Sequence, residues 1–420
     1  MRVIKKIVLI YLIIFCTNGI AQELSYAREV IDALCAPDMH GRGYVLEGET
    51  KAAVFIAEEF KRWGVQPFGE SYYQEFMVAV NTFSEDMLLS VNGIELEAGK
   101  DFIVSPSAKG QSGSFKAVHL KENKLLNRST FNKLMLNKSY TDKVVVFDYE
   151  NENAAKARER INLFIGSHLD AAAFISVEEK LTWHVASNVD NFTHIQINRA
   201  AKPEKIKDVG INIDASFETS YQTQNVLGFI KGTRYRDSLY VLTAHYDHLG
   251  HLGANQYIPG ANDNASGVAM LLNLAKYYSE NPPDYSIVFI AFGAEELGLI
   301  GSRHFVENPL FPIKQIKFLL NLDLVGTGEE GITAVNAFEF PTAFTKLELI
   351  NEEKQYLPAI KKRGEAANSD HWFFYKQGVP CFFIYTLGGI QAYHDIYDRP
   401  ETLPLTEFED LMRLIVDFCK

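Results

Sequence analysis

The sequence predicts a doubly wound α/β fold: a mostly parallel sheet with helices on both faces, interrupted by a smaller inserted domain of β-rich α/β character. Three observations carry this expectation. Near-continuous apolar runs rich in Val, Ile, Leu and Phe recur at Leu239–Thr243, Ile287–Phe292, Phe318–Leu322 and Cys381–Tyr385. Strands read this way when both of their faces are buried. A helical pattern, Val268–Tyr278, lies between the first two runs. The stretch from about Asp86 to Ser220 has a different character, with short strand-like runs such as Lys143–Phe147 and Ala171–Val177 broken by polar loops.

Taken in order, the chain opens on Arg2, Lys5 and Lys6, an apolar run Ile7–Phe15, and the small residues Gly19 and Ala21. That is the layout of a secretory signal peptide cut after Ala21, and the run is too short to cross a bilayer. A secreted or periplasmic protein is expected, with no transmembrane segment after the signal is removed. Next, Ala52, Ile56, Phe60 and Trp63 fall on one helical face within Lys51–Trp63, and Gly64 is a natural stop. The expected organisation is therefore a signal peptide over 1–21, one domain built from 22–85 and 221–420, and an insert over 86–220. A length of 420 residues with 47% apolar content suits two or three domains with a sizeable core. The formal charge of -12, with no basic stripe, argues against nucleic acid. Once Cys16 leaves with the signal, Cys35, Cys381 and Cys419 allow at most one disulfide, and none sits in a metal-binding cluster.

The chemistry lies where the apolar runs end. The first run leads into Ala244-His245-Tyr246-Asp247, the second into Gly293-Ala294-Glu295-Glu296, and the third into Asp323. The fourth leads to a loop with Tyr393-His394, and Asp263 precedes the predicted helix within Gly260–Gly267. Open α/β sheets build their sites outside the carboxyl ends of the strands, so these groups should meet on one rim. Crowded carboxylates repel, and burial raises their pKa values unless a divalent cation removes the conflict. Imidazole with carboxylate suits zinc, and manganese or cobalt less selectively. Two His and three carboxylates suffice for two metals if one carboxylate bridges. Asp247 is expected to accept the second ring N–H of His245. His248 and His251 read as surface residues or as groups behind the ligands. Asp398 is expected to fix the His394 loop.

The motifs AHYDHLG, PGANDNASG, FGAEELGLIGS, NLDLVG and YHDIYDRPETL, in this order, resemble metallopeptidase family 28. MHGRG followed by KAAVFIAEEFKRWGVQPFG resembles the opening of the same family. The likeness covers roughly Leu24–Thr82 and Asn225–Lys420. It implies a zinc exopeptidase fold and two zinc ions. Asp263 would bridge them, Glu296 and His394 would complete one site, and His245 and Asp323 the other. Glu295 would act as general base toward a water bridging the two zincs, and Tyr393 would donate to the oxyanion. A cis peptide at Asp263–Asn264 is implied as well. Asp370 and His371 resemble a stretch near the family's substrate pocket, and Asp86–Ser220 resembles a protease-associated domain. Hydrolysis of N-terminal residues from peptides is the leading expectation. A glutaminyl cyclase-like cyclotransferase and a carboxypeptidase acting on acidic peptides are the alternatives, and oligomeric state is left open.

Overall fold

A computed structural model describes residues 24–136, 140–149 and 154–420. The expected signal peptide lies outside the described residues. Among the described residues no helix is long and apolar enough to cross a membrane.

The first sheet is built from β1 (Tyr73–Thr82), β2 (Ser216–Ile230), β3 (Tyr235–His245), β4 (Tyr285–Phe292), β5 (Ile316–Leu322), β6 (Ile332–Val335), β7 (Ile360–Lys362) and β8 (Cys381–Thr386). Their order is β1-β2-β4-β3-β5-β8-β6-β7. The central strands β4, β3, β5 and β8 run parallel and contain the four predicted apolar runs. Antiparallel pairings flank them, β1 with β2 and β2 with β4 on one side, β6 with β8 on the other.

Side-chain alternation divides the central strands between two cores. Tyr240, Leu242, Ile287 and Phe289 pack with α1 (Gly48–Arg62) and α2 (Ser266–Glu280). Val241, Val288, Ile290 and Phe292 face the other way, against Phe305 of α3 (Ile300–Glu307) and Phe374 in Val379's cluster. Both faces are thus covered, which is why the runs read as unbroken apolar sequence. The architecture is mixed α/β, as expected.

A second sheet takes its strands from Met87–Val91 through Asp208–Ile213. The helix Ala154–Ser167 packs on one side, around Phe147, Phe164 and Phe174. On the other side Leu249, Leu252, Ile258 and Ile396, from loops of the first sheet, join the second sheet's own core. The chain crosses back where Asp214 N–H donates to Asp86 O at 2.8 Å. Ser216–Glu218, expected in the insert, pair with β1, beginning with Ser216 opposite Thr82. Their side chains are exposed on a two-stranded ribbon, so they carry no apolar signal.

Helix α2 approaches the sheet closely at Gly267. A Cβ there would stand 2.3 Å from Asn264 Oδ1 and 2.5 Å from Leu322 O. Both contacts are fixed by the fold, so overpacking should cost about 1–3 kcal/mol. Gly267→Ala is therefore expected to lower the thermal midpoint, measured by calorimetry. An unchanged midpoint would mean that helix and strand can separate freely.

Candidate metal centre

The rim formed by the parallel strands gathers the predicted residues. His245 ends β3, Glu295 and Glu296 follow β4, and Asp323 follows β5. His394 lies in the loop after β8, and Asp263 sits just before α2. The parallel register sets His245 beside Phe292 and Thr243 beside Asn321, so the sheet brings His245, Glu295, Glu296 and Asp323 to one edge, and the loops add Asp263 and His394. Ala294, Leu324 and His394 have φ values of 56°, 60° and 53°, all left-handed. Such backbone is uncommon for residues with a side chain and collects at functional sites. The Asp263–Asn264 peptide is cis.

Asp263 lies between the two imidazoles. Its Oδ1 is 3.3 Å from His245 Nε2, and its Oδ2 is 3.0 Å from His394 Nε2. Asp323 Oδ1 is 3.5 Å from His245 Nε2, and Glu296 Oε2 is 3.4 Å from His394 Nε2. Donors held about 2.0–2.1 Å from one tetrahedral zinc ion stand about 3.3 Å apart. The spacing therefore fits two cation sites sharing one carboxylate, and the donor chemistry fits zinc. His245, Asp263, Asp323 and His394 are at most 6% exposed, and Glu296 is half-buried as a residue but buried in its side chain.

Both imidazoles present Nε2 inward because Nδ1 is engaged behind them. His245 Nδ1 lies 3.1 Å from the backbone carbonyl of Asp247. The Asp247 carboxylate, expected to take that proton, is 3.8 Å away. It accepts instead the backbone N–H groups of Glu295 and Glu296, at 3.1 and 3.2 Å, and the Tyr44 hydroxyl at 2.6 Å. The Asp247 carboxylate thus orients the two glutamates, and the carbonyl of the same residue orients the histidine ring. His394 Nδ1 lies 2.9 Å from the Trp183 carbonyl and 3.2 Å from His184 Nδ1. Trp183 N–H donates back to His394 O at 2.9 Å. The second sheet's segment therefore buttresses a residue of the cluster, which its sequence did not reveal.

Further groups fix the carboxylates. Fully buried Arg42 donates to the carbonyls of Tyr246, Pro259, Gly260 and Asp263, at 2.9, 2.6, 2.8 and 3.2 Å. Asp398, on the same loop as His394, accepts the N–H groups of Asn262 and Asp263 at 2.8 and 2.9 Å, so it ties that loop to the Asp263 segment. Ser369 donates to Asp323 Oδ2 at 2.9 Å and is itself held by Asn321 at 2.7 Å. His248 is buried with Nδ1 2.8 Å from Glu296 Oε1, so it belongs behind the cluster. Asp370 and His371 are wholly buried, and neither lines the cleft; Asn368 does. Cys35, Cys381 and Cys419 are free and buried.

Electrostatics reinforce this reading. Burial alone would lower the basicity of both histidines, but the surrounding carboxylates prevail. His245 is raised well above its ordinary value, and His394 rises to about 9. Burial pushes Glu296 up to about 8 and Glu295 well above the usual range. Burial would also raise Asp263, but hydrogen bonds from His245 and His394 hold it well below. Protons thus neutralise the cluster as a divalent cation would.

Two outcomes are expected. Metal uptake by the metal-free protein at pH 7 should release protons, since His394 and Glu296 must lose theirs, and affinity should rise with pH toward about 9. Calorimetry in buffers of different ionisation enthalpy reads this, and a buffer-independent heat would contradict it. Lys180 reaches Gln391 O at 3.2 Å and Asp395 at 3.7 Å, beside His184. Paired Lys180→Ala and His184→Ala changes should weaken metal retention against a chelator by about tenfold or more. Unaltered retention would show that the Trp183 backbone contacts suffice.

Aminopeptidase YwaD of Bacillus subtilis (strain 168) is 43% identical over 115 residues, covering 27% of this chain and 24% of that protein. A probable zinc metalloprotease of Pyricularia oryzae is 36% identical over 111 residues, covering 26% and 22%. The matched region thus spans about a quarter of the length of these relatives. Among solved structures, BSAP, a zinc aminopeptidase from Bacillus subtilis, superposes with a TM-score of 0.67 at 20% identity, covering 94% of this chain and 93% of that one. This likeness shows a shared fold across nearly the whole chain. The sequence profile described as Peptidase family M28 matches residues 225–419, the segment that carries every donor of the cluster, and over that segment the chain is similar to that family.

Proposed function

We propose that this protein is a zinc-dependent aminopeptidase that uses two zinc ions to hydrolyse N-terminal residues from peptides. The observation that carries the reading is the placement of Asp263, with one oxygen toward His245 and the other toward His394. The names of the relatives, an aminopeptidase and a probable zinc metalloprotease, support it. His245, Asp263 and Asp323 would hold one ion, and His394, Asp263 and Glu296 the other. When bound, zinc supplies Lewis acidity and makes an attacking water easier to deprotonate.

The chain's own groups would do the rest. Glu295 lines the cleft and is free of the donor pairs just described. Its carboxylate would take the proton of the attacking water and pass it to the leaving amine. The backbone hydrogen bond from Glu295 N–H to Asp247 holds it in place at 3.1 Å. Tyr393 also lines the cleft and stacks on His394 with ring centroids 4.0 Å apart. Burial and the nearby carboxylates raise its hydroxyl pKa, so it stays protonated and can donate to a developing oxyanion. The segment that carries the second sheet is read as a protease-associated-like insert.

Turnover of aminoacyl anilides by the zinc-loaded protein tests the proposal. Chelation should abolish it, zinc should restore it, and Glu295→Gln should lower kcat by at least about a hundredfold with metal content unchanged. Full activity in Glu295→Gln would remove Glu295 from the proposed role. No turnover of any free-amine substrate would remove the aminopeptidase reading.

A further inference from the structure

The cleft beside the cluster has a volume of about 300 Å³. Apart from the donors and Glu295, it is lined by Leu324, Arg363, Asn368, Phe383, Tyr385 and Tyr393. Arg363 is the one cationic side chain of those six. Its backbone is clamped at the end of β7: its N–H donates to Ala334 O at 3.0 Å, and its carbonyl accepts from Ala337 N–H at 3.0 Å. Its Nη1 donates to Tyr385 Oη at 3.3 Å.

Charge pairing around it is uneven. The two preceding lysines face acids, Lys361 with Glu330 at 3.9 Å and Lys362 with Glu348 at 3.4 Å. Arg363 forms no ion pair among the described residues, and the cleft's carboxylates all belong to the donor cluster or to Glu295. A guanidinium in this position offers a planar fork suited to a carboxylate. The Tyr385 hydroxyl, once it accepts from Arg363, has its own proton to donate, and the Asn368 amide adds further donors. The cleft therefore has a donor-rich portion with no acid of its own to satisfy it.

We propose that Arg363, aided by Tyr385 and Asn368, binds a carboxylate of the substrate and makes this protein selective for peptides that carry a carboxylate close to the scissile bond. The proposal rests on the peptidase reading above and specifies its substrate class. Two sources offer the same chemistry: the side chain of an acidic N-terminal residue, and the free α-carboxylate of a dipeptide. The neighbouring Leu324 and Phe383 would cover the apolar part of the bound residue.

The test compares matched pairs with the zinc-loaded protein. Glutamyl against glutaminyl anilide reads the side-chain source, and Leu-Ala against Leu-Ala amide reads the α-carboxylate source. One charged member should be preferred in kcat/KM by about tenfold or more, and Arg363→Gln should erase that ratio while Arg363→Lys retains part of it. The preference should shrink at high salt, because the guanidinium is partly in solvent. Ratios near one in both pairs, or ratios that Arg363→Gln leaves intact, would overturn the proposal. If neither pair turns over, the peptidase reading fails separately. Calorimetric titration of glutamate against glutamine, and of Leu-Ala against its amide, then decides the carboxylate question by Arg363-dependent binding.

Discussion

Four carboxyl groups and two imidazoles occupy one buried rim, and the rest of the molecule is arranged around the cost of holding them together. Carboxylates brought this close out of water repel, and burial penalises each negative charge. The high proton affinities of Glu295 and Glu296 express that cost, and the depressed pKa of Asp263 shows where histidine relieves it. The rim can exist because the backbone around it is fixed by groups that do not face the cleft. Arg42 and Asp398 hold opposite polar groups of the Asp263 segment, one its carbonyls and the other its N–H groups. Neither donates to nor accepts from the Asp263 carboxylate, which is left for the histidines.

A second line of support runs through the sheet. Thr243 on β3 donates to Asn321 on β5 at 2.7 Å, Asn321 donates to Ser369, and Ser369 donates to Asp323. Every link is buried, so each polar group has to find its partner inside the protein. The hydrogen bonds of Asn264 to Leu322 O at 3.0 Å and from Leu324 N–H at 3.3 Å tie the Asp263 segment to the same strand end. Asp263 and Asp323 therefore share supports as well as a neighbour.

The parallel centre of the first sheet was readable because strands buried on both faces leave a continuous apolar trace. The donors were readable because the strands end where chemistry begins, and His245, Glu296, Asp323 and His394 stand at those ends. What escaped the sequence was mostly made by backbone atoms or by pairs far apart in the chain. The carbonyl of Trp183 carries no residue signature, and nothing near it resembles a catalytic motif. The short His245–Asp247 spacing predicts a carboxylate on the imidazole, but the ring meets the carbonyl of that residue and its carboxylate turns to the next strand's loop. Ser216–Ser220 leave no apolar trace of the strand they belong to, because their side chains are all exposed. Arg42 sits in the MHGRG motif, but a charged residue with 0% exposure and carbonyl partners is visible only in three dimensions.

The hydrogen bonds between Trp183 and His394 bear on which parts of the chain the rim belongs to. The family's characteristic region, residues 225–419, contains all the donors, yet His394 takes its ring orientation from a residue outside it. The two contacts join residues some two hundred positions apart in the chain, so the geometry of the rim is a property of both sheets together and not of the donor-bearing segment alone.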